Sequence, residues 1–372
     1  MVSKTWRDRE GLLSLDRITP WQARAILGAA VLLVVLGLSL ALLPSSSAPR
    51  HTGRSDAQLY AAVIADVAHG QSYYAAAARE HRLGGAPLRP FIAVRPPLLA
   101  VALAKLPDAG ARASALAVLA AATAAAWAWR LRDLRREPLR FAWALALAGS
   151  GIGLAAGQAA YLFHETWAGL LIALSLALRT PRNWLPSVAI GLLAAVLREL
   201  AIPFLAAMAF VALIERRRLE AVAWSAALLV AVLALAPHAA AVARVTTAGD
   251  LASPGWTSFG GWRFILHLVE FNCVLLAAPL WIPALAAPLA LLGLACRGPT
   301  GAGLGLRLGV AVLGYTLAFC IVGRPDNDYW GLMIAPLWPL GLIQADRVVA
   351  GLLSAAAGTV AGSSHRERRL AS

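Results

Sequence analysis

The chain alternates long apolar runs with short polar breaks. Runs of about 17 to 25 mostly apolar residues are separated by Arg-rich or Gly- and Pro-rich breaks, and this is the length that spans a bilayer core about 30 Å thick. Backbone polar groups find no water inside a bilayer, so such runs must fold as helices. The pattern predicts an all-α fold: a polytopic transmembrane helical bundle of about ten spans, forming a single transmembrane domain over residues 1–372.

The predicted spans lie near 22–43, 111–129, 141–157, 166–178, two short runs within 185–214, then 221–242, 274–295, 304–322 and 330–349. The two short runs flank Arg198 and Glu199, and the span count depends on whether each run crosses. Residues 44–110 form a long first extracytoplasmic loop in which we expect short interfacial helices. One piece of it, "RPPLLAVALAKLP", is too short to span and starts with prolines that suit the first turn of a helix.

The formal charge of +14 arises from 33 Lys and Arg residues against 19 acidic residues. Most of the basic residues fall in short loops and at the two ends: "KTWRDRE", "RLRDLRREPLR", "RTPR", "ERRR" and "HRERR". All of these fall on one side if the spans alternate, and the positive-inside rule makes that side cytoplasmic. The charge therefore predicts cytoplasmic termini, with a basic cytoplasmic tail at 350–372, and leaves no need for a nucleic-acid partner.

Composition agrees with a membrane protein: 60% of the residues are hydrophobic, against about 45 to 50% in soluble domains. The chain has 3 cysteines without CxxC or Cys/His spacing, so we predict no metal site from them. Ala- and Arg-rich usage is typical of a high-GC bacterium, which favours a bacterial inner (plasma) membrane.

The stretch "SDAQLYAAVIADVAHGQSYY" follows the first span. Ser55 and Gln58 form a capping-box pattern and Gly70 is a stop signal, which predicts a helix from about Asp56 to His69. Asp56 and Tyr60 are four residues apart, so they share a helix face. Asp56 has two interpretations: a charge that stabilises the helix N-terminus, or a catalytic carboxylate.

Two further pairs of polar residues lie next to apolar runs. His164 and Glu165 begin "HETW", which starts like the zinc-protease motif HExxH but has Ala168 at the second His. They are either a solvated turn or helix cap, or substrate-binding groups. Arg198 and Glu199 are either functional or a structural ion pair.

The late segment around Arg324 is the densest polar cluster. Asp326 and Asp328 have a spacing that suits a hard cation, but Asp and Asn after Pro325 are equally typical of a turn. We therefore expect no cofactor, with a divalent cation as an open alternative. Arg263, between tryptophans, is a candidate phosphate or sugar contact, although interfacial tryptophans commonly anchor membrane helices.

Six segments follow one another along the chain: the first span, the outer "DAQLY", Gly70 to Tyr74, "RPPLLA", "LREL" and "NDYWGLMIAPLWPL". This order resembles that of the GT-C superfamily of membrane glycosyltransferases, which use polyprenyl-phosphate sugars. The resemblance implies that Asp56 is the catalytic base. Many relatives carry an Arg after the late Tyr, where this chain has Trp330, so Arg324 is the expected phosphate ligand, with Arg263 or Arg198 in reserve. The expected substrate-binding residues are Tyr60, Arg95, His164, Glu165, Arg198, Glu199, Arg263, Arg324, Asn327 and Asp328.

The function implied by the resemblance is an inverting hexosyl- or pentosyltransferase. It would move a sugar from a polyprenyl-phosphate donor to a lipid, glycan or protein acceptor on the extracytoplasmic side. One alternative is a transporter or lipid flippase with Arg198, Glu199 and Asp328 along its path, although only one helix break of the kind typical of transporters is visible. Another is a non-catalytic GT-C-like protein of envelope assembly.

Overall fold

A computed structural model describes residues 12–13, 15–43, 54–274, 279–296 and 304–358, and the described chain is all-helical without a named strand. Its α-helices are α1 Pro20–Leu42, α2 Asp56–Ala68, α3 Tyr73–Gly84, α4 Pro97–Ala104, α5 Ala109–Arg130, α6 Pro138–Ile152, α7 His164–Leu178, α8 Leu185–Leu197, α9 Ile202–Ile214, α10 Arg218–Val245, α11 Gly261–Phe271, α12 Trp281–Cys296, α13 Leu304–Ile321 and α14 Ala345–Ala356. Short 3₁₀-helices lie at Leu15–Arg17, Phe91–Ala93, Arg132–Arg136, Gly153–Ala156, Ala160–Leu162, Glu199–Ala201, Pro325–Met333 and Trp338–Gln344.

Several of these helices are suited to a membrane. Five are long and apolar enough to cross one: Pro20–Leu42, Ala109–Arg130, Pro138–Ala156, Arg218–Val245 and Leu304–Ile321. Shorter apolar helices lie at His164–Leu178, Leu185–Leu197, Glu199–Ile214 and Trp281–Cys296. The protein is thus a helical bundle with several candidate spans, while the count of ten stays a prediction. Parts of the predicted outer loop (44–53) and basic tail (359–372) lie outside the described residues.

The last predicted span is broken. Instead of one helix over 330–349, the chain forms Pro325–Met333 and Trp338–Gln344 and then α14, with a bend of 62° between the two halves. Pro336 and Pro339 explain the break, because neither has a backbone N–H to donate. In a continuous helix, each proline ring would also clash with the carbonyl of the preceding turn. Bonds that span three residues lie at the break, from Ile334 N to the Gly331 carbonyl at 3.1 Å and from Leu337 N to the Ile334 carbonyl at 2.9 Å, beside single bonds that span four residues.

The broken segment, residues 325–344, packs against the backbone of three helices through glycines. A Cβ at Gly151 of α6 would overlap the Ala335 carbonyl oxygen, one at Gly169 of α7 the Leu332 carbonyl oxygen, and one at Gly293 of α12 the Gly341 carbonyl oxygen. Small residues allow such close helix approach in membrane bundles. The segment therefore lies inside the bundle, and its position is fixed by backbone contact.

Gly151→Ala is expected to destabilise the protein by about 1–3 kcal/mol, the usual cost of overpacking. Gly149→Ala is the matched control, since it lies on the same helix and a Cβ there meets nothing within 4 Å. It should stabilise by about 0.5–1 kcal/mol, because alanine favours a helix over glycine. Thermal unfolding of both variants in detergent measures the difference, and equal melting temperatures would show that the segment does not contact α6.

The helices α2, α3 and α4 form a small layer at one end of the bundle, here called the α2–α4 end. α2 packs on both α3 and α4. The predicted capping box is confirmed: Gln58 N donates to Ser55 Oγ at 3.3 Å, and Ser55 N donates to Gln58 Oε1 at 2.9 Å. The layer is joined to the loop after α10 by the pair of Arg82 Nε and Asp250 Oδ1, 2.7 Å apart.

A buried ion network lies at the opposite end of the bundle. Arg179 follows α7, Glu215 follows α9, Glu220 lies in the first turn of α10, and Arg307 lies on α13. Arg307 Nη1 is 2.6 Å from Glu215 Oε1, and Arg179 Nη2 is 2.8 Å from Glu220 Oε2. These contacts bring the end of α7, the end of α9 and the start of α10 together with α13, and the cytoplasmic assignment of this end stays a prediction.

Candidate functional site

The α2–α4 end contains an open cavity of about 920 Å³. It lies between α2 and α3 on one side and, on the other, the loop at 253–256 and the start of the 3₁₀-helix Pro325–Met333. Its polar lining includes Asp56, Tyr60, His81, Arg95, Arg324 and Asn327. The structure thus brings five of the eleven site residues expected from the sequence onto one cavity and adds His81.

Asp56 and Tyr60 lie on the cavity side of α2. Asp56 is the first residue of the helix and is partly buried, whereas Tyr60, one turn later, is only 9% exposed. Burial raises the pKa of Tyr60 well above its usual value, and the Asp56 carboxylate adds to this effect, which the Arg95 cation opposes. Tyr60 therefore keeps its proton and can donate a hydrogen bond, while Asp56 can accept a proton.

Arg95 is the buried cation of the cavity. It is 9% exposed, its Nη2 donates to the Tyr329 hydroxyl at 2.9 Å, and its guanidinium lies 5.7 Å from the ring centroid of Tyr60. Tyr73 donates its hydroxyl proton to the Arg95 backbone carbonyl at 2.6 Å, which fixes the chain there. In the described part of the chain, Arg95 Nε has no hydrogen-bond partner. The side chain therefore retains donor capacity next to the cavity.

A chain of buried charges lies behind Arg95. Glu165 Oε1 is 3.6 Å from Arg95 Nη2 and 2.7 Å from Arg198 Nε, and Arg198 also pairs with Glu199. Glu165 is 0% exposed and Arg198 1% exposed. Glu165, Arg198 and Glu199 do not line the large cavity. They form a buried ion-pair chain, so the solvated-turn interpretation of Glu165 is wrong, and the Glu165 carboxylate lies next to the Arg95 guanidinium.

A second, enclosed pocket lies behind Tyr60, with a volume of about 10 Å³. Its polar lining consists of Tyr60, Tyr73, His81, Arg95 and His164. His164 is 3% exposed, so the solvated-turn interpretation is wrong for it too. Its ring packs edge-on to Tyr60 with centroids 5.7 Å apart. His164 therefore supports the ring of Tyr60 from behind the cavity.

Arg324 lines the cavity but its charge is already compensated. Its Nε and Nη2 donate to the two carboxylate oxygens of Asp326 at 3.1 and 3.0 Å, and its Nη1 donates to the Gly255 carbonyl at 3.3 Å. Arg95, in contrast, shares its nearest carboxylate with Arg198. Arg95 is therefore better placed than Arg324 to bind an incoming anion.

Two more of the expected site residues, besides His164, Glu165, Arg198 and Glu199, do not line the cavity. Arg263 lies in the first turn of α11, and Asp328 faces the α11 side of the 325–333 helix, where its backbone carbonyl accepts from Asn272 Nδ2 at 2.7 Å. Asp328 Oδ1 accepts from the Tyr329 backbone N–H at 2.7 Å, as expected for a turn residue. Among the described residues, no group of three or more His, Cys, Asp or Glu side chains could hold a metal ion.

His81 is the residue that sequence reasoning missed. It lies in the last turn of α3 and is 5% exposed, and its Nδ1 donates to the Pro87 carbonyl at 2.8 Å. The helical spacing could have identified it, because Tyr73, Ala77 and His81 are four residues apart and therefore lie on one face of α3. All three line the same enclosed pocket. Because the Pro87 carbonyl holds the ring proton on Nδ1, Nε2 of His81 carries the lone pair and can accept a hydrogen bond or a proton.

A scan against protein-family models, a search of curated proteins and a search of solved structures each gave no significant match to this chain.

Proposed function

We propose that the protein is an inverting glycosyltransferase that moves a sugar from a polyprenyl-phosphate donor to an acceptor hydroxyl at the α2–α4 end of the bundle. The observation that carries the proposal is the placement of Asp56, Tyr60 and Arg95 on one cavity at the end of an apolar helical bundle. A carboxylate, a protonated phenol and a buried guanidinium are the groups that such a transfer needs. The resemblance of the sequence to the GT-C superfamily supports the same assignment.

The reaction requires one proton transfer and one displacement. Asp56 takes the proton of the acceptor hydroxyl while the acceptor oxygen bonds to the anomeric carbon of the sugar. The bond from that carbon to the phosphate oxygen breaks, and polyprenyl phosphate leaves with the electron pair. Attack opposite the leaving phosphate inverts the configuration at the anomeric carbon.

Arg95 supplies the positive charge that the departing phosphate needs. A guanidinium donates two parallel hydrogen bonds to phosphate oxygens, and its attraction is strong in a partly desolvated site. Tyr60 and Tyr329, both next to Arg95, add hydroxyl donors. Because the lipid carrier supplies an activated leaving group, no nucleotide pocket is required, and the polyprenyl tail stays among the apolar helices.

The proposed setting is a bacterial inner membrane with both termini cytoplasmic, where a lipid, glycan or protein is the acceptor. Asn327 and Arg324 line the opposite wall of the cavity and would contact the sugar or the acceptor. No cofactor is proposed.

Arg95→Met is expected to lower kcat/KM for donor by about 10²- to 10³-fold, as for the loss of one preorganised donor group. Arg95→Lys should recover part of this loss, since it restores the charge but not the two-pronged geometry. Purified protein is supplied with labelled polyprenyl-phosphate sugars and candidate membrane acceptors, and transfer is measured.

Arg244→Met is the matched control, because Arg244 is an exposed arginine in the last turn of α10 that does not line the cavity. Its kcat/KM should equal that of the native chain. Equal loss in the two methionine variants would contradict the role of Arg95. Absence of transfer with every donor, together with movement of lipid-linked sugar across sealed vesicles, would instead favour the transporter.

A further inference from the structure

His81 borders both the open cavity and the enclosed pocket behind Tyr60. It is held by one hydrogen bond, from Nδ1 to the Pro87 carbonyl, so Nδ1 carries the proton and Nε2 carries the lone pair. Within the described part of the chain, this Nδ1 bond is the only hydrogen bond of the His81 ring. The cavity therefore contains a second group, besides Asp56, that can accept a proton.

The groups around His81 decide its protonation state. Burial lowers the pKa of His81 below its usual value, and the Arg95 cation lowers it further. The Pro87 carbonyl and the Asp56 carboxylate act in the opposite direction. Tyr60 of α2 and His164 of α7 also line the enclosed pocket beside it. His81 is thus neutral near pH 7 and is coupled electrostatically to Asp56.

We infer that His81 is the second proton acceptor of this cavity, which receives at Nε2 the proton that Asp56 takes from the acceptor hydroxyl. This inference rests on the proposed function. In the transfer step the proton passes from the acceptor oxygen to the Asp56 carboxylate. It then passes through cavity water to His81 Nε2, which restores the Asp56 carboxylate and leaves an imidazolium. The imidazolium releases its proton to solvent through the open cavity.

The direction of this second step follows from ordinary basicities, because an imidazole is more basic than a carboxylate by about two to three pKa units. The lowered pKa of His81 narrows this difference, so the imidazolium gives up its proton readily at neutral pH. Asp56 is therefore returned to its carboxylate form by transfer to His81, and the proton then leaves from the imidazolium.

The first test does not depend on activity. The full-length protein in detergent is labelled with ¹⁵N-histidine, and the His81 resonance, identified by its loss in His81→Asn, is titrated in the native chain and in Asp56→Asn. The pKa of His81 should be below its usual value in the native chain and lower still in Asp56→Asn, because the carboxylate that raises it is gone. An unchanged pKa in Asp56→Asn would overturn the inference.

The second test is chemical rescue of transfer. His81→Asn keeps a donor for the Pro87 carbonyl but lacks Nε2, and it should lower kcat by about 10²-fold with little change in KM, since proton handling contributes about 10²- to 10⁴-fold. His81→Ala should be rescued by added imidazole, for which the open cavity has room. Asp56→Ala should not be rescued by imidazole.

The outcomes separate the two proposals. Native-like kcat in His81→Asn, or a slow His81→Ala that imidazole does not accelerate, would show that His81 only packs against the cavity. Absence of transfer by the native chain with every donor would remove the proposed function and the proton route together. The titration would then show separately whether Asp56 and His81 are coupled.

Discussion

Asp56→Asn is expected to reduce sugar transfer by about 10²- to 10⁴-fold, the usual contribution of a general base. The amide is nearly the same size as the carboxylate and can still accept hydrogen bonds, but it cannot take a proton. Binding of the donor should change little, because the proposal assigns its phosphate to Arg95 and not to Asp56. The measurement is the initial rate of transfer from labelled polyprenyl-phosphate sugar by purified protein, with donor affinity measured in parallel.

Asp66→Asn is the control for this variant. Asp66 lies on the same helix, α2, pairs with Arg79 and does not line the cavity. It should transfer sugar at the native rate. The melting temperature of Asp56→Asn should fall only slightly, since a charge at a helix N-terminus contributes about 0.3–1 kcal/mol. If Asp56→Asn transfers as fast as Asp66→Asn, Asp56 merely stabilises the start of α2.

Glu165→Gln is expected to destabilise the protein by about 3–5 kcal/mol, because two buried arginines lose the carboxylate that lies between them. Glu165 is 0% exposed and lies between Arg95 and Arg198. Thermal unfolding of the purified protein in detergent measures the effect. Transfer should also fall, because Arg95 loses the carboxylate that lies next to it.

The double variant Glu165→Gln/Arg198→Met distinguishes charge from packing. It restores the native sum of buried charges, so it should be more stable than Glu165→Gln alone, although Arg198 is lost. Glu270→Gln is the control for a partly exposed carboxylate contact, since Glu270 Oε2 lies 3.2 Å from His267 Nδ1 with 23% of its side chain exposed. It should change stability by about 1 kcal/mol or less. A double variant less stable than Glu165→Gln would contradict the charge explanation.

Local signals along the chain predicted much of the fold. The Ser55–Gln58 capping box and the proline start of α4 depend on neighbouring residues, and both were found as expected. The break in the last predicted span was missed because hydropathy sums side chains and does not register the backbone bonds that Pro336 and Pro339 remove. The close approach of Gly151 to the Ala335 carbonyl was equally invisible, because it depends on two distant segments meeting.

The candidate site divides in the same way. Asp56 and Tyr60 could be paired from helix spacing alone, and they do share the cavity. The charge compensation of Arg324 by Asp326 could not be read from their spacing, because a pair two residues apart can face either way. Glu165 was placed at a hairpin tip, which suggested solvent, but α8 and the segment before α4 bring Arg198 and Arg95 over it. A sequence locates a residue on its own helix, whereas its neighbours from other helices decide its charge state and role.

The three glycines that contact the broken segment also provide a criterion for recognising related chains. Positions 151, 169 and 293 admit no side chain, because each faces a backbone carbonyl and not a flexible neighbour. Lipid-facing positions, in contrast, exchange freely among apolar residues. A chain that keeps glycine at all three places while the rest of its apolar sequence diverges has preserved the broken segment, and with it the wall of the cavity that carries Tyr329.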